Sequence, residues 1–370
     1  MNLTHTFIEL INLSSPSGEE GLVADYITQK MTQLNLQVWR DQSGQKNQSN
    51  TGNVYAYLLV NKNYSTLAFS AHMDTVQKKE DHITPVINGQ TITSDGKTIL
   101  GADNKAGVAV LIEVARLVKT QNLKHNLLFF FPTREEAGIM GSSFFCFKQS
   151  PLKYIFNVDN SDVPGVFIYQ SLGYLNFEIN LHGLSAHAAK SYEKGIDAIK
   201  ASSYLIQKLP LGKNLKSGWS LNIGVINGGT STNVVCDQVI LKGEMRAFKP
   251  STLGKLQNSI KEICQSVSQK THTTINFDID QESYIPPFNG SLHSEILNLC
   301  TKACSSSHLK YVPQSSFSTS DANFFHSLGI PVVSLSRGGE NAHSVNEKIK
   351  ISHMTDSVKL ILSLINLADS

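Results

Sequence analysis

Ile99-Leu100-Gly101-Ala102-Asp103-Asn104-Lys105-Ala106-Gly107 is the stretch around which the rest of the chain is organised. An apolar pair runs into a turn of small residues, the turn presents one carboxylate, and a helix follows over Val108–Lys119. Val108, Leu111, Ile112, Ala115 and Val118 recur at helical spacing, so this helix has a buried face. Asp103 then sits in a tight loop between two rigid elements, at the carboxyl end of a strand, where α/β folds hold ligands. Alone, such an aspartate reads as a helix N-cap. Four further ligand-type residues in comparable settings change that reading.

With 370 residues the chain can bury a large core and is expected to form two domains. A formal charge of +2 without basic or acidic blocks argues against nucleic acid as a partner. No apolar run approaches membrane-spanning length, so no membrane partner is expected. Met1-Asn2-Leu3-Thr4-His5 lacks the layout of a signal peptide, and Leu3–Leu13 reads as a short amphipathic helix. The five cysteines are scattered and odd in number, as in reduced intracellular proteins; a cytoplasmic location is expected.

In order, the chain begins with a helix, a loop and a second helix from about Gly21 to Leu34, for which Ser17 and Glu20 have capping-box spacing. Asp41–Asn53 reads as a polar surface turn. Val54–Val60 and Leu67–Ala71 are strands, the second with too little polar alternation for an exposed sheet. His82–Lys97 reads as a polar hairpin. Asn126–Pro132 is a continuous apolar strand, Met140–Phe147 a helix, and Tyr154–Val158 a short strand. Strand and helix alternate as in a doubly wound α/β sheet covered on both faces.

From Gly173 the texture changes. Tyr174–Leu181, Trp219–Asn227, Val234–Phe248 and Thr273–Ile279 read as strands, with helices over Gly195–Leu209 and Ser251–Lys270. That order, β-α-β-β-α-β, is the ferredoxin-like split motif, an insert of about 110 residues. After Pro286-Pro287 the first pattern resumes with helices over Leu292–Ser305 and Asp321–Leu328, the strand Ile330–Leu335, a glycine turn, and a helix over Ser352–Ala368. The expected division is therefore 1–172 and 283–370 for one discontinuous domain, and 173–282 for the insert.

His72, Asp103, Glu136 and Asp159 each follow an apolar strand, and His343 follows the last one. If those strands share a sheet, the five side chains converge at one edge. Two imidazoles and three carboxylates suit zinc, cobalt or manganese. Five ligands exceed what one catalytic zinc with an open position takes, and fit two metals sharing a carboxylate. Asp74, two residues after His72 on an extended segment, projects to the same side and could accept the imidazole N–H. Of the neighbours Glu135 and Glu136, one suffices as a ligand; the other is free to act as general base.

His72-Met73-Asp74, Gly101–Gly107, Glu135-Glu136, Asp159 and Asn341-Ala342-His343-Ser344-Val345-Asn346-Glu347 together resemble the co-catalytic di-zinc exopeptidase family, and within it peptidase T and its relatives. The resemblance covers essentially the whole chain. It implies a zinc-exopeptidase-type fold whose inserted domain is a lid. It implies two Zn2+ per chain (Co2+ or Mn2+ being alternatives), one held by His72 and Asp159, the other by Glu136 and His343, with Asp103 bridging. By the same resemblance Glu135 is the base, Asp74 orients His72, and the Asp103-Asn104 peptide is cis. His187, in Gly183-Leu184-Ser185-Ala186-His187-Ala188, matches the histidine that stabilises the oxyanion, while Asn233 and Arg246 fall where lid residues bind substrate. It further implies a homodimer through the lid. Val345 departs from the family, where many members carry proline, and a slightly looser turn is expected.

The function so implied is hydrolysis of short peptides by an aminopeptidase of the peptidase T kind. An N-acyl-amino-acid deacylase or a carboxypeptidase on the same scaffold stays open, because specificity resides in lid and loops. A silent peptide- or metal-binding protein would normally lack a ligand or the base, and neither is missing here. For Arg246 a salt-bridged strand residue, and for Asn233 a turn support, are the structural alternatives.

Overall fold

The strands Thr66–Ser70, Asn126–Phe131 and Val332–Ser336 are buried from end to end, as their near-continuous apolar sequences require of central strands. In the computed structural model, which describes residues 2–290 and 293–368, they lie in one sheet. Its order runs Gln37–Arg40, Val54–Leu58, Asn126–Phe131, Thr66–Ser70, Leu152–Asn160, Val332–Ser336, Val166–Ser171. The four strands from Asn126–Phe131 to Val332–Ser336 are mutually parallel, and their neighbours on either side run antiparallel. All four therefore deliver their carboxyl ends to one edge, the edge that carries the expected ligands.

The pleat assigns the two faces. Phe69, Phe129 and Phe156 pair laterally, and with Leu335 they form one core with the helices Leu3–Ile11, Ala102–Leu117 and Ile351–Leu367. Ser70, Phe130, Asn157 and Ser334 form the next row and face the other way. There Phe325, from the helix Asp321–Ser327, packs its ring edge-on to Phe130. Helices thus cover both faces, the doubly wound arrangement. Gly107 is required by packing: a Cβ there would lie 2.7 Å from the Val158 carbonyl, so only glycine lets the helix Ala102–Leu117 come this close to the strand end.

By contact the chain divides into two units, one made of 1–170, 289–316 and 320–370, the other of 171–288 and 317–319. The second carries Gly173–His182, the helix Ala198–Lys208, Trp219–Gly228, Gln238–Ala247, the helix Pro250–Thr271 and Thr274–Ile285 in the β-α-β-β-α-β order. Its antiparallel sheet adds Gly212–Asn214 at one edge. Strict alternation of burial along Gly173–His182 puts Leu175, Phe177, Ile179 and Leu181 against the two helices. The last strand passes a register shift and continues to Ile285, which moves the boundary from the expected 282 to 288.

Three local expectations are corrected. Met140–Phe147 is not a helix but a loop with one tight turn over Ser142–Phe144, because Gly138 and Ile139 adopt positive φ and the backbone folds back onto Thr133. Asp41–Asn53 is more than a surface turn: it contains the helix Ser43–Asn47, and Asn47 and Asn53 are buried. The Ser17–Glu20 capping box is absent, since the Ser17 hydroxyl donates to Asp74 and the Glu20 carboxylate accepts from the Gly18 and Arg134 N–H groups and Ser49. The helix expected from Leu292 runs Ser294–Ser306; Leu292 itself lies outside the described residues.

Asn53 holds the Thr133–Gly141 loop, accepting from the Thr133 N–H at 3.0 Å and donating to the Gly141 carbonyl at 2.9 Å. Asn53→Ala orphans both buried groups and is expected to cost about 2–4 kcal/mol in urea unfolding. A loss under about 0.5 kcal/mol, the range of an ordinary surface substitution, would contradict this role.

Candidate metal centre

Among the described residues, three groups of ligand-type side chains have donor atoms mutually within 4.8 Å: His72–Asp103–Asp159, Asp103–Glu136–His343, and His72–Glu135–Glu136. The first two share Asp103. Its Oδ1 lies 3.3 Å from His72 Nε2, and its Oδ2 lies 3.4 Å from His343 Nε2. Asp159 Oδ1 is 3.2 Å from His72 Nε2, and Glu136 Oε1 is 2.8 Å from His343 Nε2. The five expected residues thus come together as two half-sites joined by one carboxylate, although Ile99-Leu100 before Asp103 forms no strand, contrary to expectation. Imidazole nitrogens and carboxylate oxygens without thiolate fit zinc, cobalt or manganese, and two half-sites fit two ions.

Local structure aims each group. Gly101, in the left-handed region, turns the chain into the helix, and the Asp103-Asn104 peptide is cis, as the resemblance implies. Asn104 Nδ2 donates to the Val158 carbonyl at 2.8 Å and to Asp159 Oδ1 at 3.1 Å, linking this turn to the neighbouring ligand. His343 stands in the left-handed region with its side chain about half exposed. Strain of that kind in a non-glycine residue concentrates at functional sites.

Asp74 is fully buried and does more than orient His72. His72 Nδ1 lies 3.0 Å from the Asp74 backbone carbonyl and 3.3 Å from its carboxylate, so Nδ1–H donates there and Nε2 is left for a cation. The two Asp74 oxygens also accept the N–H groups of Glu135 and Glu136, each at 3.0 Å, and the carboxylate takes the Ser17 hydroxyl. One side chain therefore fixes His72, Glu135 and Glu136 relative to one another.

Charge and burial set the ionisation of the cluster. Burial works against the ionised Asp103, yet the Arg337 charge and hydrogen bonds from His343 and His72 hold its carboxyl well below the usual range. Hydrogen bonds to Asp103 and Glu136 push His343 up to about 10. Burial, then the charges of Asp159, Asp321 and Glu136, raise Glu135 well above an ordinary glutamate, against the opposing pull of His72. A raised carboxyl is the kind that can both take up and release a proton.

Four contributors escaped the sequence reading. Ser17 was assigned to a helix cap. Glu347, inside a quoted motif but given no role, accepts the N–H groups of Leu100 and Gly101 on Oε2 at 2.8 and 2.7 Å and that of Asp103 on Oε1 at 2.9 Å. Asp321 is fully buried, and burial lifts it to about 7. Arg337, buried at 1% exposure, lies 2.8 Å from Asp103 Oδ1. The one available signal was the lone charged Arg337 directly after the buried strand Val332–Ser336.

The other expected residues lie in the second unit. His187 is exposed, and its Nδ1 accepts from the N–H groups of Ala189 and Lys190 at 3.2 and 3.3 Å. That leaves the proton of a neutral ring on Nε2. Asn233 sits beside it, its carbonyl accepting the Ala188 N–H at 3.0 Å. Arg246 is paired two-fold with Glu244 at 2.8 and 3.0 Å and lies over the Tyr174 ring. This is the salt-bridged arrangement weighed as its structural alternative.

Comparison with known proteins agrees with this geometry. The family model for peptidase family M20/M25/M40 matches residues 68–367. An uncharacterised protein of Bacillus subtilis strain 168, YqjE, is 29% identical over 368 residues, spanning 98% of this chain and 97% of that protein. The aminopeptidase PepT of Bacillus cereus ATCC 10987 superposes with a TM-score of 0.92 at 28% identity, covering 98% of this chain and 97% of the other. A tripeptidase of Staphylococcus aureus subsp. aureus Mu50 also gives 0.92, at 26% identity, with 99% and 97% covered.

Glu347→Gln replaces one acceptor oxygen by an N–H2 that meets backbone donors. It is expected to cost about 1–3 kcal/mol in chemical unfolding and to lower the metal retained after dialysis. Unchanged stability and metal content would show that the Asp103 turn holds its shape without this carboxylate.

Proposed function

We propose that this chain, which belongs to peptidase family M20/M25/M40, is a two-metal aminopeptidase that removes the amino-terminal residue of short peptides, tripeptides foremost. The observation that carries the two-metal part is the single carboxylate of Asp103, each of whose oxygens faces a different imidazole. The substrate class is supported by the likeness to an aminopeptidase PepT and to a tripeptidase over nearly the whole chain.

His72, Asp103 and Asp159 would hold one divalent ion; Asp103, Glu136 and His343 the other. When bound, the pair supplies Lewis acidity toward the peptide carbonyl and toward water. Glu135 takes the proton of the attacking water on its carboxylate and returns it to the leaving amine nitrogen as the C–N bond breaks. Its raised proton affinity suits this two-way use. Asp74 keeps Glu135 in place through its backbone N–H. His187, with its proton on Nε2, donates to the oxyanion of the tetrahedral intermediate; such a donor is typically worth about 3–4 kcal/mol.

The reading includes a homodimer through the second unit. Trp219–Gly228 pairs with Gly212–Asn214 only as far as Leu221, and beyond it Val225 and Ile226 are 43% and 56% exposed. An apolar edge strand of this kind invites pairing with a second copy.

Glu135→Gln keeps the shape and removes the basicity, so kcat on tripeptides should fall by about 10²–10⁴ with metal content unchanged. Loss of metal would mean that Glu135 and Glu136 have exchanged roles. Assay of the wild-type enzyme on tripeptides, dipeptides and N-acyl amino acids tests the substrate class: release of free amino-terminal residues supports the proposal. Turnover confined to acylated amino acids identifies a deacylase instead.

A further inference from the structure

Arg337 takes no step in the reaction proposed above, yet it is buried against the carboxylate that both half-sites share. Its Nε donates to the Ala102 carbonyl at 3.2 Å, and its Nη1 donates to the Asp159 carbonyl and to Ser161 Oγ, each at 3.1 Å. Its own N–H donates to the Asn160 carbonyl at 2.9 Å. A planar fork held on three sides cannot swing away from Asp103.

The placement is lopsided. Nη2 lies 2.8 Å from Asp103 Oδ1, the oxygen that faces His72, whereas Oδ2 faces His343. A carboxylate oxygen already ion-paired with a guanidinium attracts a second cation less strongly. A fixed guanidinium a few ångströms away also repels an incoming divalent ion. Both effects fall chiefly on the His72–Asp103–Asp159 half.

We propose that Arg337 is a positioning residue that makes the two metal positions unequal: it holds Asp103 in register while weakening cation binding between His72, Asp103 and Asp159, so that the Asp103–Glu136–His343 position fills first. The inference rests on the two-metal reading of the site. It predicts an enzyme that keeps one ion firmly and exchanges the other.

The test is titration of chelator-stripped protein with Co2+, read by visible absorption and by competition with a chromophoric chelator. Wild type should bind two equivalents in two resolved steps. In Arg337→Met the weaker step should tighten by about tenfold or more, with a much smaller change in the tighter one. Arg337→Lys, which keeps the charge, should preserve the gap. If the methionine variant does not fold when stripped, Arg337→Gln removes the charge while leaving an amide donor for the carbonyls. Anomalous diffraction from wild-type crystals at one equivalent needs no variant, and should place the ion with Glu136 and His343.

Two equal steps in wild type, an unchanged gap in the neutral variants, or a first ion beside His72 and Asp159 would each overturn the inference while leaving the two-metal reading intact. Wild-type protein that takes up no Co2+ would remove that reading, and this inference with it.

Discussion

The two oxygens of Asp103 must point to different partners at once, and much of the surrounding structure serves that constraint. A free aspartate side chain rotates; one that has to join two half-sites cannot. The turn that carries it is gripped through its backbone by Glu347 and at its side chain by Arg337. Asn104 ties the same turn to Asp159. These groups come from three separate stretches of the chain, so the site exists only once the sheet is complete.

Asp74 plays the corresponding part for the other ligands. It is fully buried, yet each of its oxygens has a backbone N–H partner, and this satisfies the rule that a buried charge must be paired or hydrogen-bonded. Burial also explains why Glu135 and Asp321 hold protons more tightly than exposed carboxyls do. Negative charge is concentrated beyond what the histidines and Arg337 balance. That imbalance is the electrostatic condition under which divalent cations are attracted.

The strands, with His72, Glu136 and Asp159 at or just past their ends, were legible because the signal is local, an apolar run followed by a histidine or carboxylate. Asp103 follows no strand of this sheet, since Ile99-Leu100 forms none, and His343 stands seven residues past Val332–Ser336. The order of elements in the second unit was legible for the same reason, from alternation and helical spacing. Glu347 and Arg337 were not, since Glu347 reaches a backbone N–H 247 residues away and no local pattern announces such a bond. Ser17 and Glu20 show local logic losing to tertiary structure: their capping-box spacing is genuine, but Asp74 and the Arg134 N–H claim their side chains. The helix expected over Met140–Phe147 failed for a related reason, because the loop follows the buried donors of Asn53 rather than its own apolar spacing. Spacing left open which of Glu135 and Glu136 would be ligand and which base, and only the resemblance to the exopeptidase family implies an assignment.

The most direct measurement of the central claim is the metal stoichiometry of Asp103→Ala beside wild type, by elemental analysis after dialysis against buffer containing a slight excess of Zn2+. A shared bridging carboxylate predicts two ions per chain in wild type and the loss of both in the variant, with the protein still folded. Retention of one full equivalent would show that a half-site stands without Asp103, and retention of two would remove the bridge from the account.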